Sequence, residues 1–100
     1  MSRHYWTYEE NEICCRRYLE SFVLKNSGLS MSAFAKTLKQ EMPQLKESSI
    51  KNKISNIRYL SLNAGLADSM SCAPLANCSA DNVAAFNALL REYHLSLIHI

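Results

Sequence analysis

The sequence has no long hydrophobic run, no internal repeat and no alternation of polar and apolar residues. Its apolar stretches fall well short of the roughly 20 residues that cross a bilayer, and the start MSRHYWTYEE lacks the apolar centre of a signal peptide. We therefore expect a cytoplasmic protein without membrane contact. Because 48% of the 100 residues are hydrophobic and none of them alternate as in β-strands, we expect a single all-α domain with one modest core.

Charge of one sign is also scarce, because the net charge is only +2. It is unevenly distributed: residues 1–65 carry ten Lys or Arg against six Glu, whereas residues 66–100 carry one Arg against three acidic residues. Between residues 36 and 58, six basic side chains accompany two acidic ones. This mild basic excess predicts that any binding to nucleic acid is weak and sensitive to salt.

The four cysteines do not form a metal or disulfide pattern. Cys14 and Cys15 are adjacent on a predicted helix and point about 100° apart, so they cannot chelate as a Cys-x-x-Cys pair does. Without a secretory signal, we expect reduced thiols that pack as small apolar side chains. No Gly-rich elbow or oxyanion loop accompanies a cysteine and a histidine, and Glu9 and Glu10 diverge around a helix. The sequence thus predicts no catalytic residue, no metal and no cofactor.

Helical periodicity and end signals predict four helices, at about residues 8–25, 31–41, 49–63 and 80–94. Thr7 and Glu10 have the spacing of a capping box at the start of the first helix. Ser48 or Ser49 is expected to cap the third helix, and Gly65 to stop it. The connection before the third helix is longer than the turn of a strict helix-turn-helix. We therefore predict a Myb-like or otherwise variant trihelical core with the fourth helix packed across it.

Two segments after the third helix are predicted to be irregular or foreign. Residues 67–78 contain a proline and small residues without periodicity, which predicts a loop that packs through Met70 and Leu75. The last six residues, LSLIHI, match the translation of the mosaic-end sequence used in transposase-based sequencing adapters. We therefore expect residues 1–94 to form the domain and residues 95–100 to be a non-native tail. The alternative is a genuine apolar tail that extends the fourth helix or docks on the core.

The third predicted helix has two faces of opposite chemistry. At a helical period its isoleucines and Ser61 fall on one line, which predicts a buried face. The other side is rich in amides, hydroxyls and cations, the groups that contact phosphates and base edges. Asparagine is a poor helix former, so three asparagines in one helix suggest a use for their amides. The residues predicted to bind duplex DNA, the cations through phosphates and the others through bases or sugar, are Lys46, Lys51, Asn52, Lys53, Ser55, Asn56, Arg58 and Tyr59.

Two motifs resemble those of known DNA-binding modules. The opening Trp6-Thr7-x-Glu9-Glu10 resembles the start of Myb and SANT domains. Over residues 5–65, that opening, followed by a helix and by the segment SIKNKISNIRYL, resembles the small N-terminal helical domain that precedes HNH or other restriction-type nuclease domains in bacteria. The resemblance implies a DNA-binding accessory module, of bacterial or phage origin, that delivers an effector to DNA. Because this chain has no His-Asn-His cluster, it would be a fragment of a restriction- or defence-associated protein.

The alternative interpretation is a protein-interaction module, such as a phage- or plasmid-encoded inhibitor or regulator. Its helices would dock on a protein partner or on a second copy of the chain, and the polar face of the third helix would cover or mimic a nucleic-acid site. Ile13 and Leu24 fall off the apolar face of the first helix, and such apolar side chains favour self-association.

Overall fold

The computed structural model describes the backbone of residues 5–98 and the side chains of residues 5–93. It contains four helices: α1 (Tyr8–Tyr18, continued by one π-helical turn at Leu19–Val23), α2 (Met31–Glu41), α3 (Glu47–Asn63) and α4 (Ala80–Ile98). No β-strand occurs among the described residues, and the all-α fold class is confirmed. The assembly of the first three helices as a helix-turn-helix core stays a prediction.

The first helix begins with the capping box that the sequence predicts. The Thr7 hydroxyl accepts the N–H of Glu10 at 3.1 Å, and the Glu10 carboxylate accepts the N–H of Thr7 at 2.8 Å. The helical backbone ends at Val23, two residues before the predicted end, and its last turn is wider than an α-helical turn. There the N–H of Leu24 bonds the carbonyl of Leu19, five residues back.

The second helix has the predicted bounds. The hydroxyl of Ser30 accepts the N–H of Ala33 at 3.1 Å and caps its start. A five-residue connection then leads to α3. The Lys39 ammonium closes this connection by donating to the carbonyls of Pro43 and Leu45. The end of α2 is therefore tied to the chain that leads into α3.

The third helix starts two residues earlier than predicted, at Glu47. Its N-cap residue is Lys46, and no side chain caps it, so the prediction of Ser48 or Ser49 as the cap is wrong. Its end is as predicted. Gly65 has a φ of +75°, a conformation that glycine adopts without a steric cost, and the next N–H bonds back to the carbonyl five residues earlier.

The core lies where the four helices meet. Helix α4 packs along α1, α2 packs along α3, and α1 and α4 both contact α3. The rings of Phe22 and Phe34 meet edge to face with centroids 4.9 Å apart, and Tyr18 packs beside both. The predicted inner face of α3 is confirmed, because four side chains on it are completely buried: Ile50, Ile54, Ile57 and Ser61.

The α3–α4 loop, residues 64–79, follows the outside of α3. Met70 is 1% exposed and fills the core as predicted. The Leu75 side chain is exposed, and this residue contacts α3 through its backbone N–H and carbonyl. Helix α4 then continues four residues beyond its predicted end, to Ile98. The side chains of the predicted tail, residues 95–100, and its last two residues lie outside the described part. Among the described residues, no helix has both the length and the apolar character needed to cross a membrane.

Candidate nucleic-acid interface

The eight residues predicted to bind DNA divide into two groups. Within residues 5–93, no hydrogen bond or ion pair engages four of the side chains, which are exposed or half-exposed: Lys46, Lys51, Asn52 and Tyr59. The remaining four contact other parts of the fold: Lys53, Ser55, Asn56 and Arg58. The expectation that one continuous polar face of α3 meets solvent is therefore wrong at Lys53 and Asn56, which are buried, whereas Ser55 and Arg58 are partly exposed but engaged.

Arg58 binds the beginning of the α3–α4 loop. Its guanidinium lies 3.2 Å from a carboxylate oxygen of Asp68 and donates to the carbonyl of Cys72 at 3.2 Å. The Asp68 carboxylate is completely buried and also accepts the Tyr18 hydroxyl at 2.7 Å and the N–H of Met70 at 2.9 Å. Burial, together with the hydrogen bond to Asp68, raises the pKa of Tyr18 well above its usual value. Arg58 therefore neutralises a buried charge, and its guanidinium is committed to the fold.

Asn56 and Ser55 bind the second part of the same loop. Asn56 is only 7% exposed and donates its amide to the carbonyl of Leu75 at 2.7 Å, while the N–H of Leu75 donates to the carbonyl of Ser55 at 3.1 Å. The Cys78 thiol lies 3.6 Å from the carbonyl oxygen of Asn56. The Ser55 side chain lies within hydrogen-bonding reach of the Cys72 thiol. The loop thus covers the predicted DNA-facing side of α3 at its midpoint.

Lys53 lies on the core side of α3. It follows Ile50 by three residues and precedes Ile57 by four, so helical spacing places it beside the buried face. It is 7% exposed, and its ammonium lies 4.9 Å from the centroid of the Trp6 ring, a cation–π contact. Burial lowers the pKa of Lys53, against the effect of neighbouring cysteines. The expectation that Lys53 is exposed to a phosphate is therefore wrong, because its side chain is buried. Its spacing of three residues after Ile50 and four before Ile57 indicated this burial.

Three of the four unengaged side chains belong to the N-terminal part of α3, and the fourth, Tyr59, lies further along the helix. Lys46 precedes the first turn, Lys51 and Asn52 follow in the second, and the first turn has no side-chain cap for its N–H groups. Lys36 is also exposed, on the outer side of the adjacent α2. The arginines of α1 differ, since within the described residues both are paired with carboxylates: Arg16 with Glu92, and Arg17 with Glu20 and Glu41. Cations without a carboxylate partner in the described part of the chain are therefore found on α2 and at the start of α3, and also at Lys25 and Arg91.

The cysteines and acidic residues do not cluster as metal ligands within the described part of the chain. No group of three potential ligands comes together there. Cys14 and Cys15 are completely buried, which confirms that they pack as small apolar side chains. Burial raises the pKa of Cys15 to about 12 and that of Cys14 well above its usual value. Such thiols stay protonated near neutral pH and are weak nucleophiles.

Sequence reasoning missed Asp68, the residue that engages Arg58. It was counted only among the acidic residues of the second part of the chain. A signal was present, because Asp68 stands between the apolar Leu66 and Met70 directly after the end of α3. An acidic residue in a segment that packs on the core needs a cation or a donor nearby.

No family model, no curated protein and no solved structure matches this chain.

Proposed function

We propose that this chain is a small DNA-binding module without catalytic activity of its own, and that it contacts duplex DNA with the first turns of α3. One observation carries the proposal: Lys46 at the N-cap of α3, and Lys51 and Asn52 in its second turn, are exposed or half-exposed and unengaged within residues 5–93. Lysine ammonium groups suit phosphate oxygens, and an asparagine amide suits a phosphate, a sugar or a base edge.

The surroundings of these residues support an anionic partner. The uncapped N–H groups of the first turn of α3 add positive potential there, and Lys36 is exposed on α2, which packs along α3. Glu47 lies in that turn and opposes a phosphate. The balance still favours the cations, because three lysines stand against one carboxylate.

The role of the module follows from the resemblance of residues 5–65 to the helical domains that precede restriction-type nuclease domains. We propose an accessory role in which the module holds an effector on DNA, in a bacterial or phage restriction or defence protein. The capping box that opens α1 and the glycine that closes α3 support the helix limits on which this resemblance depends.

The test is a salt titration of duplex binding with a matched pair of variants. In fluorescence anisotropy with a 20-bp duplex, we expect contacts from three lysines to give a slope of log K against log salt of about −2.7, that is about −0.9 per phosphate. The double variant Lys46→Ala/Lys51→Ala should bind about tenfold more weakly and reduce the slope to about −0.9. The control Lys25→Ala/Arg91→Ala removes two exposed cations from α4 and from the chain after α1, and should bind as the parent does. Absence of binding by the parent, or an equal loss in the control, would refute the proposal.

The second candidate is a protein-interaction module, and one observation favours it. Several leucines are exposed, with 39–46% of their surface accessible: Leu24, Leu29, Leu62 and Leu75. Leu24 agrees with the expected second contact surface, whereas Ile13 packs against the core and does not contribute to one. Light scattering beside the DNA titration separates the candidates, because a stable dimer without DNA affinity would favour protein interaction.

A further inference from the structure

The α3–α4 loop crosses α3 on the side opposite its buried face. Successive residues of a helix are 100° apart, so Ser55 and Asn56 lie on either side of the direction opposite the isoleucines. The loop binds at both positions, through the N–H and the carbonyl of Leu75. A stretch of backbone therefore lies across the outermost part of the helix.

The crossing point divides the unengaged side chains. Asn52 and Tyr59 project from the side of α3 that the loop crosses. They are about 10 Å apart along the helix axis, at 1.5 Å per residue. The loop passes between them. Along the helix axis, Asn52 thus lies on the same side of the loop as Lys46 and Lys51, whereas Tyr59 lies on the other side.

A helix that carries a second chain on its outer side is too wide for the major groove. That groove is about 12 Å wide and accepts a bare helix of about 10–12 Å diameter. An extended chain adds about 5 Å, the spacing of neighbouring strands. Helix α3 consequently cannot lie along the groove and present its middle to base edges.

The loop is anchored at both ends of the crossing. On one side, the buried Asp68 carboxylate is held by Arg58 and Tyr18, and Met70 is inserted in the core. On the other side, the amide of Asn56 binds the Leu75 carbonyl. Lifting the loop would break this buried ion pair and expose Met70, so DNA is expected to meet α3 with the loop in place.

The α3–α4 loop thus limits which DNA groups the module can contact. We infer that the module binds the phosphates of a duplex and does not discriminate between DNA sequences. The reason is that the α3–α4 loop keeps α3 out of the major groove. This inference rests on the DNA-binding function proposed above. Arg58 and Asn56, the side chains best suited to base edges, hold the loop. Asn52 is the one amide of α3 that remains both unengaged and next to the lysines among the described residues.

The first experiment measures sequence preference with the parent protein. Binding to a randomised 20-bp duplex pool is followed by sequencing of the bound fraction, and the most enriched duplex is compared with the pool by anisotropy at fixed salt. The inference predicts affinities within tenfold of each other. A preference of more than tenfold overturns the inference and leaves the proposed function standing. No binding to any duplex removes both.

The second experiment fixes the loop on the helix. Ser55→Cys places a thiol beside the native Cys72, and oxidation should join the two through a disulfide, with mass spectrometry to confirm the bond. We expect the oxidised and reduced forms to bind the pool within twofold of each other, and Ser55→Cys/Cys72→Ser to serve as the variant that cannot form this bond. Loss of binding on oxidation and recovery on reduction would show that the loop must lift, and would overturn the inference.

Discussion

The first turns of α3 and its middle carry the same kinds of side chain and use them differently. Lys51 and Asn52 at the start are unengaged within the described residues, whereas Asn56 and Arg58, one or two turns later, hold the α3–α4 loop. The amide and the cations are of similar chemistry in both places. What differs is the chain that follows Gly65, which returns over the middle of the helix and not over its start. A polar helix face therefore becomes an interface or a part of the core according to what crosses it.

The largest expected effect separates Arg58 from Lys51. Arg58→Ala leaves the Asp68 carboxylate buried without its cation, so we expect the free energy of unfolding to fall by about 3 kcal/mol. Lys51→Ala removes an unengaged cation and should change it by less than about 0.5 kcal/mol. Urea unfolding followed by circular dichroism measures both. Equal stability of the two variants would contradict the role of Arg58 in neutralising the buried carboxylate.

The two asparagines are expected to differ in the sign of their effect. Asn56→Ala loses a buried hydrogen bond to the Leu75 carbonyl and should cost about 1–2 kcal/mol. Asn52→Ala replaces a poor helix former at an exposed position and should stabilise the protein by a few tenths of a kcal/mol. Thermal melts of the two single variants measure both changes in stability. If both were destabilising to the same degree, the division of α3 into an engaged middle and an unengaged start would not hold.

A smaller, pH-dependent effect is expected at Lys53. Burial lowers its pKa, so the folded state binds this proton less tightly than the unfolded chain. The charge therefore costs stability at pH 7, and the cost disappears as the pH rises past about 10, where the unfolded lysine is neutral too. Lys53→Met should be more stable by up to about 1 kcal/mol at pH 7, since loss of the Trp6 contact offsets part of the gain.

The measurement is the difference in unfolding free energy between this variant and the parent from pH 7 to pH 10.5. Taking the difference removes the contribution of the thiols, which titrate in both proteins. The advantage of Lys53→Met should shrink as the pH rises. A difference in unfolding free energy that stays constant over this range would show that burial of the charged Lys53 does not destabilise the folded state.

The smallest expected effect concerns DNA affinity at the start of α3. Glu47→Gln removes the carboxylate from the first turn, and a unit charge about 10 Å from a phosphate contributes about 0.4 kcal/mol in water. We therefore expect about twofold tighter duplex binding. The matched change Glu12→Gln on α1 should leave affinity unaltered in the same anisotropy assay. Equal gains in both variants would mean that DNA responds to net charge and not to this end of the helix.

The helices were predictable because their signals are local. The Thr7–Glu10 capping box, the cap at Ser30 and the stop at Gly65 each lie within one or two turns of the residues they affect. The wrong predictions concern helix ends: the first helix closes with a wide turn and ends at Val23, and Lys46 precedes the third helix without a side-chain cap.

The candidate site was only half predictable, because it depends on contacts between distant segments. Lys53 could have been placed correctly from its spacing to Ile50 and Ile57, whereas the engagement of Arg58 depends on Asp68, ten residues away in a loop without periodicity. A helical pattern shows which side of a helix is apolar. It does not show whether a later segment covers the polar side.

By itself, the sequence determined four helices, the buried face of α3 and the capped ends of α1 and α2, because periodicity and capping act between residues close along the chain. The tertiary structure alone decided which polar side chains of α3 stay available. That choice depends on the path of residues 64–79 and on the burial of Asp68 and Met70, which are set by the packing of the whole domain.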